Sequence, residues 1–271
     1  MSTLAAARPM PVDRVRQSLV LAGTVIALVG AVVGSGFAGG TPIPKVAGGA
    51  LSADATLLAP AGPAFAIWSV IYAGLVVYAI WQALPSQAAR ERQRRAGFWV
   101  LGSLLLNAAW ILSVQAGQLG LSVVAIVALL VVLIVTFVIL RRHPGDSTAD
   151  AVLLDGVMGL YLGWVMVATV ANVASWLLQA GFDGFGGNPH AWAIGMLAVF
   201  AVIGCLLAVW DGGRFAPAIA SAWGLAWIGV SRLTGTLVSA PVAITAFAAA
   251  ALLLLVALAV RVARAPGARR P

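Results

Sequence analysis

Eight side chains share a chemistry suited to holding a flat apolar molecule: Trp68, Tyr72, Asn107, Trp110, Tyr161, Trp164, Thr169 and Asn172. Indole and phenol faces stack on planar apolar groups, while amides and hydroxyls fix the orientation of what is stacked. Their spacing is helical. Trp68 and Tyr72 are i, i+4, and Asn107 and Trp110 are i, i+3. Trp164, Thr169 and Asn172 follow Tyr161 at offsets of 3, 8 and 11, so each set shares one helix face. The same spacing also fits a plainer use, in which the two asparagines hydrogen-bond across neighbouring helices. Bond-making chemistry has no comparable support. His143 and His190 lie at breaks between apolar runs, and Ser69 and Ser113 have no histidine in their runs to activate them. The expectation is a binding protein rather than an enzyme, with no intrinsic cofactor and no metal.

A membrane bundle must position these residues. Of 271 residues, 62% are hydrophobic and only 9% charged, with a mean hydropathy of +1.03. A soluble domain carries about 25% charged residues. Sixteen Lys and Arg with eight Asp and Glu cannot cover a water-facing surface. That excludes a soluble enzyme and a nucleic-acid partner, despite a net charge of +8; the bilayer is the expected partner. A single cysteine, Cys205, excludes an internal disulfide framework.

A bilayer core of about 30 Å needs about 20 apolar residues per helix. Eight runs qualify: 18–38, 63–83, 97–116, 119–140, 151–179, 191–210, 215–233 and 241–262. The predicted fold is therefore all-α, a polytopic membrane helix bundle with eight transmembrane helices. The third break, Gln115 to Gln118, is short enough to force a tight antiparallel hairpin. The first run ends without a signal-peptidase pattern and reads as a retained helix. Its Gly23, Gly30 and Gly34 form a small-residue stripe, which serves close packing either within the chain or in a homodimer.

With eight spans, fourteen of the sixteen basic residues fall on one side, leaving Lys45 and Arg232 opposite. The positive-inside rule then places both termini in the cytoplasm, in a plasma (inner) membrane. Arg232, closing the seventh run, is expected to snorkel outward. Asp155 lies four residues into the fifth run, near the cytoplasmic interface, and no charge stands at midplane; ion-coupled transport loses weight accordingly. Trp81, Trp99, Trp176, Trp192 and Trp210 fall at run ends, where an interfacial belt accounts for them. Trp68, Trp110 and Asn172 instead lie about 8–10 Å from the outer ends of their helices, with Tyr72, Asn107 and Thr169 at about 14–15 Å. Two layers of aromatic and polar groups from three helices thus coincide in depth.

Three stretches resemble one family. Pro63-Ala64-Phe65-Ala66-Ile67-Trp68-Ser69-Val70-Ile71-Tyr72 is similar to the second helix of the tryptophan-rich sensory proteins (TspO/translocator protein). Leu106-Asn107-Ala108-Ala109-Trp110 is similar to the third-helix Leu-Asn-x-x-Trp, and Tyr161-Leu162-Gly163-Trp164 with Ala168-Thr169 and Asn172 to the fifth helix. The resemblance covers residues 18–180. It implies a five-helix domain with a ligand cavity between helices 2, 3 and 5, beneath the Gly/Pro-rich stretch 39–62. It further implies a bound porphyrin or haem-type tetrapyrrole, with the eight residues above as its pocket and at most slow, light-dependent breakdown of that ligand. The chain departs from the family pattern at the paired prolines before helix 2, at the double Phe after Trp110 and after Asn172, where no sterol-recognition pattern follows.

The organisation expected is a cytoplasmic arm at 1–17, the five-helix domain at 18–180, three additional helices at 181–262 and a basic tail at 263–271. Trp223 and Trp227, i, i+4 in the seventh run, read as packing or lipid-facing indoles. The alternative function is a non-ion-coupled permease for a small apolar solute.

Overall fold

The computed structural model describes residues 8–34, 36 and 41–265; Arg269 and Arg270 of the basic tail lie outside the described residues. Eight long helices follow the eight predicted runs: α1 (Pro11–Gly34), α2 (Ile67–Gln82), α3 (Glu91–Gln115), α4 (Leu119–Arg142), α5 (Val157–Gln179), α6 (Pro189–Asp211), α7 (Phe215–Thr234) and α8 (Ala240–Ala263). Short helical turns at Ile43–Gly49, Gly62–Ala66 and Pro85–Ala88 punctuate the connections, and no strand occurs among the described residues.

Seven helices, with the turns that lead into α2 and α5, are long and apolar enough to cross a membrane. The exception is α7. Its 20 residues span about 30 Å, but Ser, Gly, Trp and Arg232 dilute its apolarity. Eleven of its residues are buried against protein, so it has less need of a lipid-compatible surface than its neighbours. Elsewhere the outward faces are apolar: Val25, Val124, Leu206 and Ile244 are each more than half exposed, as lipid contact requires.

Several helices run past their apolar segments because charges pair at their ends. α1 begins at Pro11, inside the stretch expected to be an arm. There Asp13, 1% exposed, takes Arg94 of α3 at 2.6 Å and Arg16 at 3.3 Å. α3 likewise starts at Glu91, because Arg92 reaches Asp155 at 2.5 Å and Asp150 at 3.2 Å. Asp150–Gly156 forms a wide π-helical turn before α5, which places both carboxylates beside that one guanidinium.

Helices α1, α3, α4, α5 and α2 pack in sequence, and α2 meets both α1 and α5, closing a five-helix ring. α7 docks on the outside of α5, and α8 and α6 follow it. The glycine stripe of α1 is used inside the chain: a Cβ at Gly23 would meet Leu101 at 2.6 Å, and one at Gly30 the Ala108 backbone at 3.6 Å. The α3–α4 hairpin is as tight as expected. Its Gly117 has φ +70°, a conformation that costs glycine nothing and other residues strain.

Hydrogen bonds also sort the loops. Arg16 reaches the Ala88 carbonyl, Arg92 the Asp150 and Asp155 carboxylates, Arg214 Asp155, Arg141 the Trp210 carbonyl and Arg264 the Val209 carbonyl. These bonds gather the start of α1, the even-numbered connections and the end of α8 at one end of the bundle. At the other end Gln115 reaches Thr41, Arg232 reaches Ala53, and His190 reaches Ser239. Eight helices running alternately up and down the bundle produce this segregation.

Candidate functional site

The site is built around Trp68. Pro63 opens the tight turn Gly62–Ala66, and α2 starts immediately after it, so Trp68 stands in the first turn of the helix. Four rings surround it: Tyr72 at 5.3 Å and Trp110 at 6.2 Å lie nearly parallel to it, while Tyr161 at 5.8 Å and Trp164 at 6.3 Å meet it edge-on. Phe65 adds an edge contact to Trp164 at 5.7 Å. Each such pair contributes about 0.5–1.5 kcal/mol beyond the area it buries.

Amides tie the rings together in two layers. In the outer one, Trp110 donates its Nε1–H to Asn172 Oδ1 at 2.7 Å, and Asn172 Nδ2 donates to Ser122 Oγ at 3.0 Å. In the deeper one, the Tyr72 hydroxyl donates to Asn107 Oδ1 at 2.6 Å, and the Tyr161 hydroxyl donates to the Ser103 carbonyl at 3.3 Å. Thr169 stands apart: its hydroxyl donates to the Val165 carbonyl of its own helix. Seven of the eight residues singled out by sequence are therefore linked by ring contact or hydrogen bond, and Thr169 is not. Asn107 Nδ2 and Trp164 Nε1 are buried without an acceptor.

The outer layer carries a direct prediction. Asn172→Leu removes the acceptor of the Trp110 indole and the partner of Ser122, both buried. The expected loss is about 1–3 kcal/mol, read as a lower midpoint of thermal unfolding in detergent. An unchanged midpoint would show that the amide bridge contributes nothing.

Trp68, Trp110, Trp164, Phe65 and Asn172 wall a cleft, with Ala168, Ala171 and Ser175 of α5 behind them and Leu51, Ala59 and Pro60 of the α1–α2 loop above. It contains about 450 Å³ of empty space counting its open mouth, but the space enclosed between its walls is far smaller. That is room for about two waters. The lining is apolar and aromatic with one hydroxyl and one amide, groups suited to stacking and orienting a flat molecule.

The roof is held by α7. The Ala61 amide donates to the Trp227 carbonyl at 3.1 Å, and the Trp223 Nε1–H donates to the Ala64 carbonyl at 2.9 Å. Arg232 and Ser231 both donate to the Ala53 carbonyl, at 2.6 and 3.2 Å. The Thr236 amide donates to Asp54 at 3.0 Å and holds that carboxyl below the usual carboxylate range, so this pin is intact at neutral pH. Arg232 does not snorkel outward as expected. It is 0% exposed, because the loop folds over it.

A family profile described as TSPO-like protein matches residues 20–259. The chain belongs to the TSPO-like protein family. No curated protein and no solved structure gives a significant match. The TSPO-like match runs beyond residue 180, where the motif resemblance ends, and takes in α6, α7 and nearly all of α8. The contacts agree with that reach, since α7 both packs on α5 and pins the roof. Sequence reasoning missed two parts of this TSPO-like site, Ser122 behind Asn172 and the role of Trp223, while the roof residues Leu51, Ala59 and Pro60 fall within the stretch 39–62 that the resemblance set over the cavity. Only the Trp223–Trp227 spacing carried a signal, and it named a helix face without naming what that face meets.

Proposed function

We propose that this integral-membrane TSPO-like protein is a sensor or carrier for a planar apolar ligand, a porphyrin or other tetrapyrrole, taken into the cleft between α2, α3 and α5. The observation that carries this reading is the convergence of three indoles from three helices, Trp68, Trp110 and Trp164, on one roofed cleft. The unpartnered Trp164 Nε1–H and the Asn172 amide are the polar groups that would orient the ligand. We also place the arginine-rich end in the cytoplasm, which turns the roofed end outward.

Ligand pockets run to about 300–1,000 Å³, whereas the closed cleft has room between its walls for only about two waters, so it is too narrow for a tetrapyrrole. Binding therefore requires the 50–61 loop to lift and Trp68 to leave its stack. The measured affinity is reduced by the fraction of molecules that are open.

The test is a titration of purified protein with protoporphyrin, followed by absorbance and by quenching of tryptophan emission. Saturable quenching is expected. A combined Trp110→Ala, Trp164→Ala variant removes two walls of the cleft and is expected to weaken binding at least about ten-fold, the equivalent of about 1.4 kcal/mol. Absence of saturable quenching in the unaltered protein would end this reading. Porphyrin flux in proteoliposomes separates a carrier from a sensor.

A further inference from the structure

Arg232 is a feature of the roof that closing the cleft does not explain. Its side chain is 0% exposed, and only Nη2 is used, donating to the Ala53 carbonyl at 2.6 Å and to Ser231 Oγ at 2.7 Å. Nε and Nη1 have no acceptor, so three of the five N–H protons of a guanidinium are unsatisfied. No carboxylate lies within ion-pair distance among the described residues. Asp54, the acid of the same loop, attracts Arg232 only from beyond that distance and is engaged by the Thr236 amide. A buried charge without its counter-ion is costly, and the other buried arginines, Arg16 and Arg92, both have carboxylates at hand.

Position supplies the reason. Ala53, which covers Arg232, is two residues from Leu51, a roof residue of the cleft, and two residues span at most about 7 Å. The loop movement that admits a ligand withdraws the Ala53 carbonyl from the guanidinium. A cation with free donors is then uncovered at the rim of an aromatic cleft.

We infer that Arg232 is an anion subsite that receives the carboxylate of an otherwise apolar ligand seated in the cleft. This rests on the cleft reading above and adds the ligand's chemical class: a flat apolar body bearing an acidic arm. The carboxylate replaces Ala53 as acceptor and supplies the missing countercharge, so the acid both favours the open roof and is selected over neutral analogues. An anionic lipid headgroup offers the same chemistry from the bilayer, and the experiment distinguishes the two.

Protoporphyrin and its dimethyl ester, identical in their rings, are titrated in phosphatidylcholine nanodiscs into the unaltered protein, Arg232→Gln and Arg232→Lys. The readout is the ratio of the two affinities within each protein, which general loosening of the fold does not shift. The unaltered protein is expected to prefer the acid by about ten-fold or more, the effect of a charge-assisted hydrogen bond. Arg232→Gln should bind both within about two-fold of each other at the ester's affinity, and Arg232→Lys should keep most of the preference. An unchanged preference in Arg232→Gln, or none in the unaltered protein, overturns the subsite and leaves the cleft reading standing. A variant that keeps the preference but loses co-purifying phosphatidylglycerol assigns Arg232 to lipid and overturns it too. Failure of both porphyrins to bind the unaltered protein overturns the cleft reading along with it.

Discussion

Gly163→Ala is expected to lower stability by about 3 kcal/mol or more, at the upper end of what overpacking does to a close-packed interior. Gly163 lies on α5 where α7 crosses it, and an added methyl would overlap the Pro217 carbonyl oxygen and sit 3.0 Å from Ala220 Cβ. Neither obstacle is a flexible side-chain tip. The two helices have to part, which also breaks the bond from Ser221 Oγ to the Gly163 carbonyl. Because α7 pins the roof through Trp223, Trp227 and Arg232, a shift there reaches the cleft as well. Gly195→Ala is the matched control, since a Cβ at Gly195 meets nothing within 4 Å and helix propensity favours alanine by up to about 1 kcal/mol. Thermal unfolding in detergent, followed by labelling of the single half-buried cysteine, Cys205, measures both. Equal midpoints for Gly163→Ala and the unaltered protein would refute the close α5–α7 crossing.

Arg92→Leu is expected to cost about 3–5 kcal/mol, the loss typical of removing one partner from a buried ion pair. Its guanidinium holds Asp155 at 2.5 Å, Asp150 at 3.2 Å and the His143 carbonyl at 2.8 Å, with Asp150 0% exposed. Removing the cation leaves Asp155 to Arg214 at 3.1 Å and Asp150 to the half-buried Arg90 at 3.2 Å, so two carboxylates lose their shared countercharge where three helices meet. The loss comes from that shortfall of positive charge, so Arg92→Met combined with Asp150→Asn and Asp155→Asn is expected to recover most of it. Arg95→Ala, which breaks only the exposed i, i+4 pair with Glu91, should change stability by no more than about 0.5 kcal/mol. A triple variant no more stable than Arg92→Leu would mean that packing of the arginine stem, rather than charge, is what the site needs.

Much of the architecture is legible in the sequence because bilayer thickness leaves few choices. Each apolar run has to be a helix, and the placement of arginine orders the loops. The helix starts were harder to read. Asp13, Arg16 and Arg92 look like polar flanks in one dimension and become helix only because their counter-charges arrive from other segments. Helical depth brought Trp68, Trp110 and Asn172 into one layer and Tyr72 and Asn107 into another, and these are in contact. The same arithmetic placed Thr169 with them, but depth is blind to azimuth, and a threonine can satisfy its hydroxyl on its own helix. Arg232 was misjudged for a related reason. A span-end arginine ordinarily finds water, and nothing near it in sequence announces the loop that covers it.

The tie between the roof and α7 also imposes an order on the making of the protein. The loop residues Ala53, Ala61 and Ala64 are joined to partners 159 to 179 positions later in the chain. At about 5–20 residues per second of synthesis, roughly 10–30 s separate translation of the roof from translation of the helix that fastens it. The cleft walls are complete only once Ser175 of α5 has been made, so for about the last 3–10 s of that interval the aromatic cleft stands unroofed in the nascent protein, open to whatever the ribosome-bound chain encounters at the membrane surface.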